Sequence, residues 1–382
     1  MAFLGPLQLL NLVQVWGIVR VMKPTIFSQI DAAGRPMLIG SFPQMGMDEA
    51  LDLVLEYIPD IPNWVQMPGM AEEGMLAQFA TGLPGLRQSK THLNINTSDT
   101  GFDENMLLFY EEYMAVVENR LNIDASRFIL SQNTCRGFFS FLKRIESMAV
   151  RPMAVKGQIT GPFTFATGMK DQNGRALYYD DQIRDMAVKL IAMKAAWQVK
   201  RLLDIGVPVI LFIDEPSLAG FGSSEFISIS GESVKNCLSE VVDAIHTAGG
   251  IAGIHVCANT DWSIIMETGA DIINFDAYSF FDRFVLYEEQ IVNLFNSGRW
   301  LAWGMVPTLN VEDLQRETHA SLVEQFYSKL ERISSLGVEQ SLILNQSMIT
   351  PSCGAGSLRL DLSKKVLSLT KKVSEIIRTQ IE

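Results

Sequence analysis

From Asp181 to the C-terminus the chain repeats one plan: an amphipathic stretch, a glycine, a short apolar run, then polar residues. Ile183, Met186, Ala187, Leu190 and Ile191 fall at helical spacing across 181–203, and Gly206 supplies a stop. The next run, 207–213, is continuously apolar and ends at Asp214-Glu215-Pro216, as suits a strand buried on both faces. The plan recurs as a helix over 232–246 and Gly249-Gly250 before a strand at 251–256, and as 262–267 and Gly269 before 272–275. It recurs again as 284–295 before 301–303 and as 311–336 before 342–344, with 362–381 as a closing helix. Earlier apolar runs at 37–39, 64–66 and 154–157 bring the expected strands to eight. Strands alternating with helices predict an α/β fold with a parallel sheet covered on both faces, and eight units can close into a (β/α)8 TIM barrel.

No Ser/Gly-rich or Pro-rich linker divides the chain, so residues 25–382 are expected to form a single catalytic domain. Residues 1–24 read as an N-terminal extension. The first part is apolar but lacks a basic start and is interrupted by Gln8, Asn11, Gln14 and Arg20, which argues against a secretion signal. Met22-Lys23-Pro24 reads like a natural start, so the preceding stretch is either a translation-start extension or a helix packed on the body. Of the 382 residues 48% are hydrophobic and 19% charged, which excludes disorder on a large scale. A net charge of −12 without a Lys/Arg run excludes nucleic acid and an anionic membrane as main partners. Four scattered cysteines make no disulfide framework, and a reducing cytoplasm fits them.

In barrels of this type the chemistry gathers at the C-terminal ends of the strands. Asp214, His255, Cys257, Asp276 and the loop carrying Cys353 all fall there. Residues two apart on a strand face the same way, so His255 and Cys257 can both point to the mouth, within reach of Cys353. One imidazole and two thiols can hold Zn2+ and leave a fourth position open, the mark of a working rather than a structural zinc. The alternative is a set of structural thiols. An open, sulfur-rich zinc suits the activation of a substrate thiol. Cys135 and Cys237 read as packing residues, and His92, His246 and His319 as helix-surface or loop histidines.

Several segments together carry a family resemblance: Ile39-Gly40-Ser41-Phe42-Pro43-Gln44, Lys156-Gly157-Gln158-Ile159-Thr160-Gly161-Pro162, Ile213-Asp214-Glu215-Pro216, His255-Val256-Cys257 and Thr350-Pro351-Ser352-Cys353-Gly354. From about Met37 to the C-terminal helix the chain resembles the catalytic half of cobalamin-independent methionine synthase. That family lies within the wider group of uroporphyrinogen decarboxylases and corrinoid-dependent methyltransferases. The resemblance implies a zinc-dependent methyltransferase that moves a methyl group onto the sulfur of homocysteine to form methionine. It implies His255, Cys257 and Cys353 as zinc ligands. Asp276 stands where the full-length enzymes have a glutamate ligand, either on the metal or hydrogen-bonded to a ligand. Ile39, Gly40 and Ser41 resemble the segment that receives the substrate carboxylate, and Asp214 the acid that pairs with its ammonium. Glu73, or its neighbour Glu72, resembles a second such acid.

Two departures bear on the methyl donor. The full-length enzymes carry a second, N-terminal barrel for which 382 residues leave no room, and they place a histidine acid after the seventh strand. This chain reads Gly304-Met305-Val306-Pro307-Thr308 there. Methyl transfer from a tetrahydrofolate nitrogen needs a proton, whereas departure of cob(I)alamin needs none. The expected donor is therefore a methylated corrinoid, free or protein-bound, with 5-methyltetrahydrofolate second. Competing readings are a porphyrin-type decarboxylase on the same barrel, a corrinoid-protein methyltransferase acting on another thiol, and a non-catalytic corrinoid- or metal-binding accessory protein.

Overall fold

In the computed structural model, residues 30–88 and 93–381 are described. The expected extension at 1–24 and His92 lie outside them. Seven parallel strands form the main sheet: β1 (Arg35–Pro36), β4 (Val155–Thr160), β5 (Val209–Asp214), β6 (Ile251–Val256), β7 (Ile272–Phe275), β8 (Trp300–Val306) and β9 (Ser347–Pro351). Their spatial order is β1-β9-β8-β7-β6-β5-β4, while β2 (Leu86–Gln88) and β3 (Leu93–Ile95) make a separate antiparallel pair. Every residue of β4 to β9 is buried, as expected when helices cover a parallel sheet.

The sheet curls, and segment 60–66 hydrogen-bonds to both of its sides. Ala154 and Lys156 donate backbone N–H groups to Asp60 O and Pro62 O, at 3.2 and 2.9 Å. On the other side Gln66 N donates to Gly40 O at 3.0 Å and Phe42 N to Gln66 O at 2.8 Å. The strand expected at 64–66 is thus two isolated parallel bridges, Asn63 with Lys156 and Ser41 with Gln66.

Alternation along the strands separates two cores. Val209, Leu211 and Ile213 pack outward under the helices, while Ile210 and Phe212 join Met37, Ala154, Ile251, Ile272, Trp300, Ala302 and Met348 on the inner face. Following the inner face toward the C-terminal strand ends, apolar side chains give way to Asp214, His255, Asn274, Asp276 and Thr350. The interior is mainly apolar at one end and polar at the other.

Three expectations about elements are corrected. Leu342 and Leu344 belong to a helix, Gln340–Asn345, and the strand that follows is Ser347–Pro351. A three-residue apolar run does not distinguish a helical turn from a buried strand, and the true strand hides its signal behind Ser347 and Thr350. The helix expected at 284–295 begins only at Glu288 and runs to Asn296, Phe284 ending a separate helix, Ala277–Phe284, and that at 311–336 is broken into Val311–Arg316 and His319–Ser334. That break has a local cause: Thr318 and Ser321 form a capping box that starts a new helix. No described helix is long and apolar enough to cross a membrane.

Candidate metal centre

His255 is the last inward-facing residue of β6, Cys257 follows two positions on, and Cys353 arrives on the loop after β9. One ligand atom from each lies within 4.8 Å of the others, which is close enough for a single ion to touch all three. Asp276 is not part of that mutually close group.

A residue that motif reading did not select orients the imidazole. Asn274, on β7, donates both amide hydrogens, to Ala302 O and to Thr350 Oγ1, each at 2.8 Å. Its Oδ1 must therefore accept, and the group that meets it is His255 Nδ1. A proton on Nδ1 leaves Nε2 with its lone pair, and this buried Nε2 has no hydrogen-bond partner among the described residues. That is the tautomer a metal-binding histidine needs, with Nε2 as the ligating atom.

The sulfurs are electrostatically unequal. A hydrogen bond from Cys353, helped by His255 and opposed by burial, holds the Cys257 thiol well below its ordinary range, and the same bond and burial push Cys353 up. Cys257 is thus the readier of the two to ionise, and both sulfurs can ligate an ion as thiolates. Burial pulls the His255 imidazole down, but Cys257, Asp214 and Asn274 outweigh it and the net shift is upward.

Two carboxylates flank the cluster. Asp276 is fully buried, caps helix Ala277–Phe284 by accepting from Ser279 N at 2.8 Å, and leaves Oδ2 unpartnered among the described residues. Burial pushes its pKa up to about 6, against the opposing Ser279 bond. Asp214 is paired in register with His255, and its Oδ1 is likewise buried and unpartnered. Burial raises it to about 6, with His255 and Lys156 pulling the other way. Both acids present an unmet acceptor to the same polar end of the interior.

Segment 39–41 sits against the Cys353 loop. Gly40 has φ of +146°, and a Cβ there would stand 2.8 Å from Gln158 Cδ, so glycine is required. Ser41 Oγ accepts from Gly356 N at 3.3 Å, and Ser41 O accepts from Ala355 N at 3.0 Å. Glu73 is buried and already engaged: Oε2 accepts from Met67 N and Oε1 from Arg136 Nε, both at 2.9 Å. Glu72 is exposed. At the end of β8, where no histidine stands, Thr308 N donates to Ser352 Oγ at 3.1 Å. Cys135 and Cys237 are buried away from the cluster, and His246 on helix Gly231–Thr247 pairs with Asp271 at 2.7 Å.

Glu215, beside Asp214, is a second residue that motif reading passed over. Its carboxylate accepts from Phe163 N, Thr164 N and Thr164 Oγ1 at 2.9, 2.8 and 2.6 Å, capping helix Pro162–Gly168. Its own N–H donates to His255 O at 2.9 Å, which ties the ends of β5 and β6 together. Burial lifts its pKa from 4.5 to about 7 despite those bonds. Between these values the folded state binds more protons than the unfolded one, so this group makes stability fall as pH rises through that window. Glu215→Gln removes the titration. The melting temperature of the variant relative to the wild type should climb from pH 4.5 to 7 and then level off. A difference that stays flat across that range would mean the carboxylate ionises normally.

No family model and no curated protein matches the chain. Among solved structures it is similar to a B12-independent methionine synthase from Shewanella sp. W3-18-1, solved in complex with selenomethionine. The TM-score is 0.51 at 14% identity, and the match covers 92% of this chain and 99% of that one. The two chains share a fold. The likeness extends over nearly the whole of both, so the curled sheet and its helices are common property, while identity this low leaves the chemistry to the side chains.

Proposed function

We propose that this protein is a zinc-dependent S-methyltransferase that passes a methyl group to homocysteine, forming methionine. The observation that carries the proposal is the buried, unpartnered Nε2 of His255, fixed by Asn274 and converging with Cys257 Sγ and Cys353 Sγ. The fold neighbour, named for methionine synthase, supports the same reading. Segment 60–66, bonded to both sides of the sheet, serves as the eighth stave of a (β/α)8 barrel formed by one domain over 25–382.

His255, Cys257 and Cys353 would hold the ion, with Asp276 either completing the shell or hydrogen-bonding a ligand. When bound, zinc would supply a Lewis acid that makes an incoming thiol acidic at neutral pH. The chain does the rest by placement. Asp214, an unmet buried acceptor beside His255, pairs with the substrate ammonium, and the Ile39–Ser41 turn receives its carboxylate. Glu73, its oxygens taken by Met67 and Arg136, shapes that pocket through the 67–73 loop. With both ends of the amino acid held, the sulfur is aimed at the methyl carbon for in-line attack, and proximity supplies most of the rate.

The donor is proposed to be a methylcorrinoid. The end of β8 offers Thr308, tied to Ser352, in place of an acid that could protonate a departing tetrahydrofolate nitrogen. The neighbour's name, B12-independent, points to the folate instead, and a direct assay separates the two donors. Protein purified without added metal should contain about one zinc per chain. It should then methylate homocysteine from methylcobalamin faster than from 5-methyltetrahydrofolate. Turnover with the folate alone would overturn the donor, and metal-free protein inactive with both would overturn the function.

A further inference from the structure

Lys156 is an unexpected residue for the inside of a barrel. It lies on the inner face of β4 between Ala154 and Gln158 and is wholly buried. Enclosing an ammonium among apolar neighbours is costly unless it is well satisfied, and a neutral side chain of the same length would fill the space more cheaply. Nζ donates to Ile39 O at 2.6 Å, lies 3.4 Å from Gln158 Oε1, and faces the Phe212 ring at 4.6 Å from its centroid. No carboxylate of the described residues pairs with it directly. The negative charge that acts on it is Asp214, two residues along the inner face from Phe212.

Its one short bond goes to the turn that the substrate carboxylate is proposed to meet. Ile39 O belongs to the peptide entering Gly40, and the Gln158 amide packs on the other side of that glycine while donating to Trp64 O at 2.9 Å. Because a trans peptide fixes N–H opposite C=O, holding the Ile39 carbonyl also sets the direction of the Gly40 N–H. A carbonyl bonded to a cation polarises its own peptide, which makes that N–H a better donor.

We propose that Lys156 is a positioning residue for the amino-acid end of the substrate. Its ammonium clamps the Ile39–Gly40 peptide in the orientation that receives a carboxylate, and it sets a compensating positive charge beneath the carboxylate-binding turn and Asp214. The inference rests on the function proposed above and names the device by which that site tells an α-amino acid from a simple thiol.

The test compares binding to zinc-loaded protein of homocysteine, of 3-aminopropane-1-thiol, which lacks the carboxylate, and of 4-mercaptobutanoate, which lacks the ammonium. Calorimetry reads affinity and elemental analysis reads zinc. Lys156→Met should weaken homocysteine and 4-mercaptobutanoate by roughly ten-fold. It should leave 3-aminopropane-1-thiol within about two-fold and zinc content unchanged. Lys156→Gln, which keeps a donor for Ile39 but no charge, should show the same selectivity with a smaller loss, and it carries the test if Lys156→Met does not fold. Equal weakening of all three thiols, or of none, overturns the inference. A wild type that binds zinc but does not prefer homocysteine to 3-aminopropane-1-thiol overturns the proposed substrate instead, which separates the two failures.

Discussion

His255→Ala and Cys353→Ala should each cut zinc content to below about a tenth of the wild-type stoichiometry and abolish methyl transfer. Two remaining protein ligands do not hold zinc against buffer and chelator, and the lost ligands come from different parts of the chain. His255 stands on β6 and Cys353 on the loop beyond β9, so the two variants report independently on one ion. Asn274→Leu should act more gently. The ring stays, but nothing then keeps the proton on Nδ1, and zinc affinity should fall by about 10- to 100-fold without complete loss. Elemental analysis with a competing chelator measures all three. Full zinc retention in His255→Ala would place the metal elsewhere and end the proposed mechanism.

Gly354→Ala is expected to be nearly as damaging, although glycine carries no chemistry. A Cβ on Gly354 would lie 1.9 Å from Ser41 Oγ, and Gly356 is similarly tight against Pro68 and Ser41. The Ser41 hydroxyl has to turn away, losing its bond from Gly356 N, and Ser41 Cβ at 3.1 Å then presses the loop between Cys353 on one side and segment 39–41, the proposed carboxylate site, on the other. Displacements of about an ångström at a reacting centre cost on the order of 100-fold, so kcat/KM for homocysteine should fall at least that far, with weakened zinc binding. Gly46→Ala is the control: its Cβ would meet nothing closer than Glu49 Cβ at 3.8 Å, and its φ of −65° suits any residue. Steady-state kinetics on the two variants, beside their zinc contents, checks the claim. Unchanged kinetics in Gly354→Ala would mean that rotation of the Ser41 hydroxyl absorbs the added methyl and the loop stays in place.

How much of this was legible in the sequence follows from where each signal resides. Strands such as β5 announce themselves because burial on both faces makes every residue apolar. β9 did not, because Ser347 and Thr350 are polar residues satisfied internally, by Trp303 Nε1 and Asn274 Nδ2. The metal-ligating candidates were legible by residue type, since few side chains can ligate zinc. Asn274 was not, because an asparagine inside an apolar run does not reveal which atom it will hold. Glu73 was expected as a second acid for the substrate, and only the fold brings Arg136 to it from 63 positions away. Gly354 and Lys156 matter through what lies opposite them, which no local pattern encodes.

An interior filled mainly with aliphatic and aromatic side chains at one end offers its polar approach at the other. Under the proposed reaction, both partners come by that approach, the small thiol to the floor of the polar chamber and the bulky methyl carrier to its threshold. Under that reaction a bulky carrier would cover the thiol's approach, so the thiol is expected to load first.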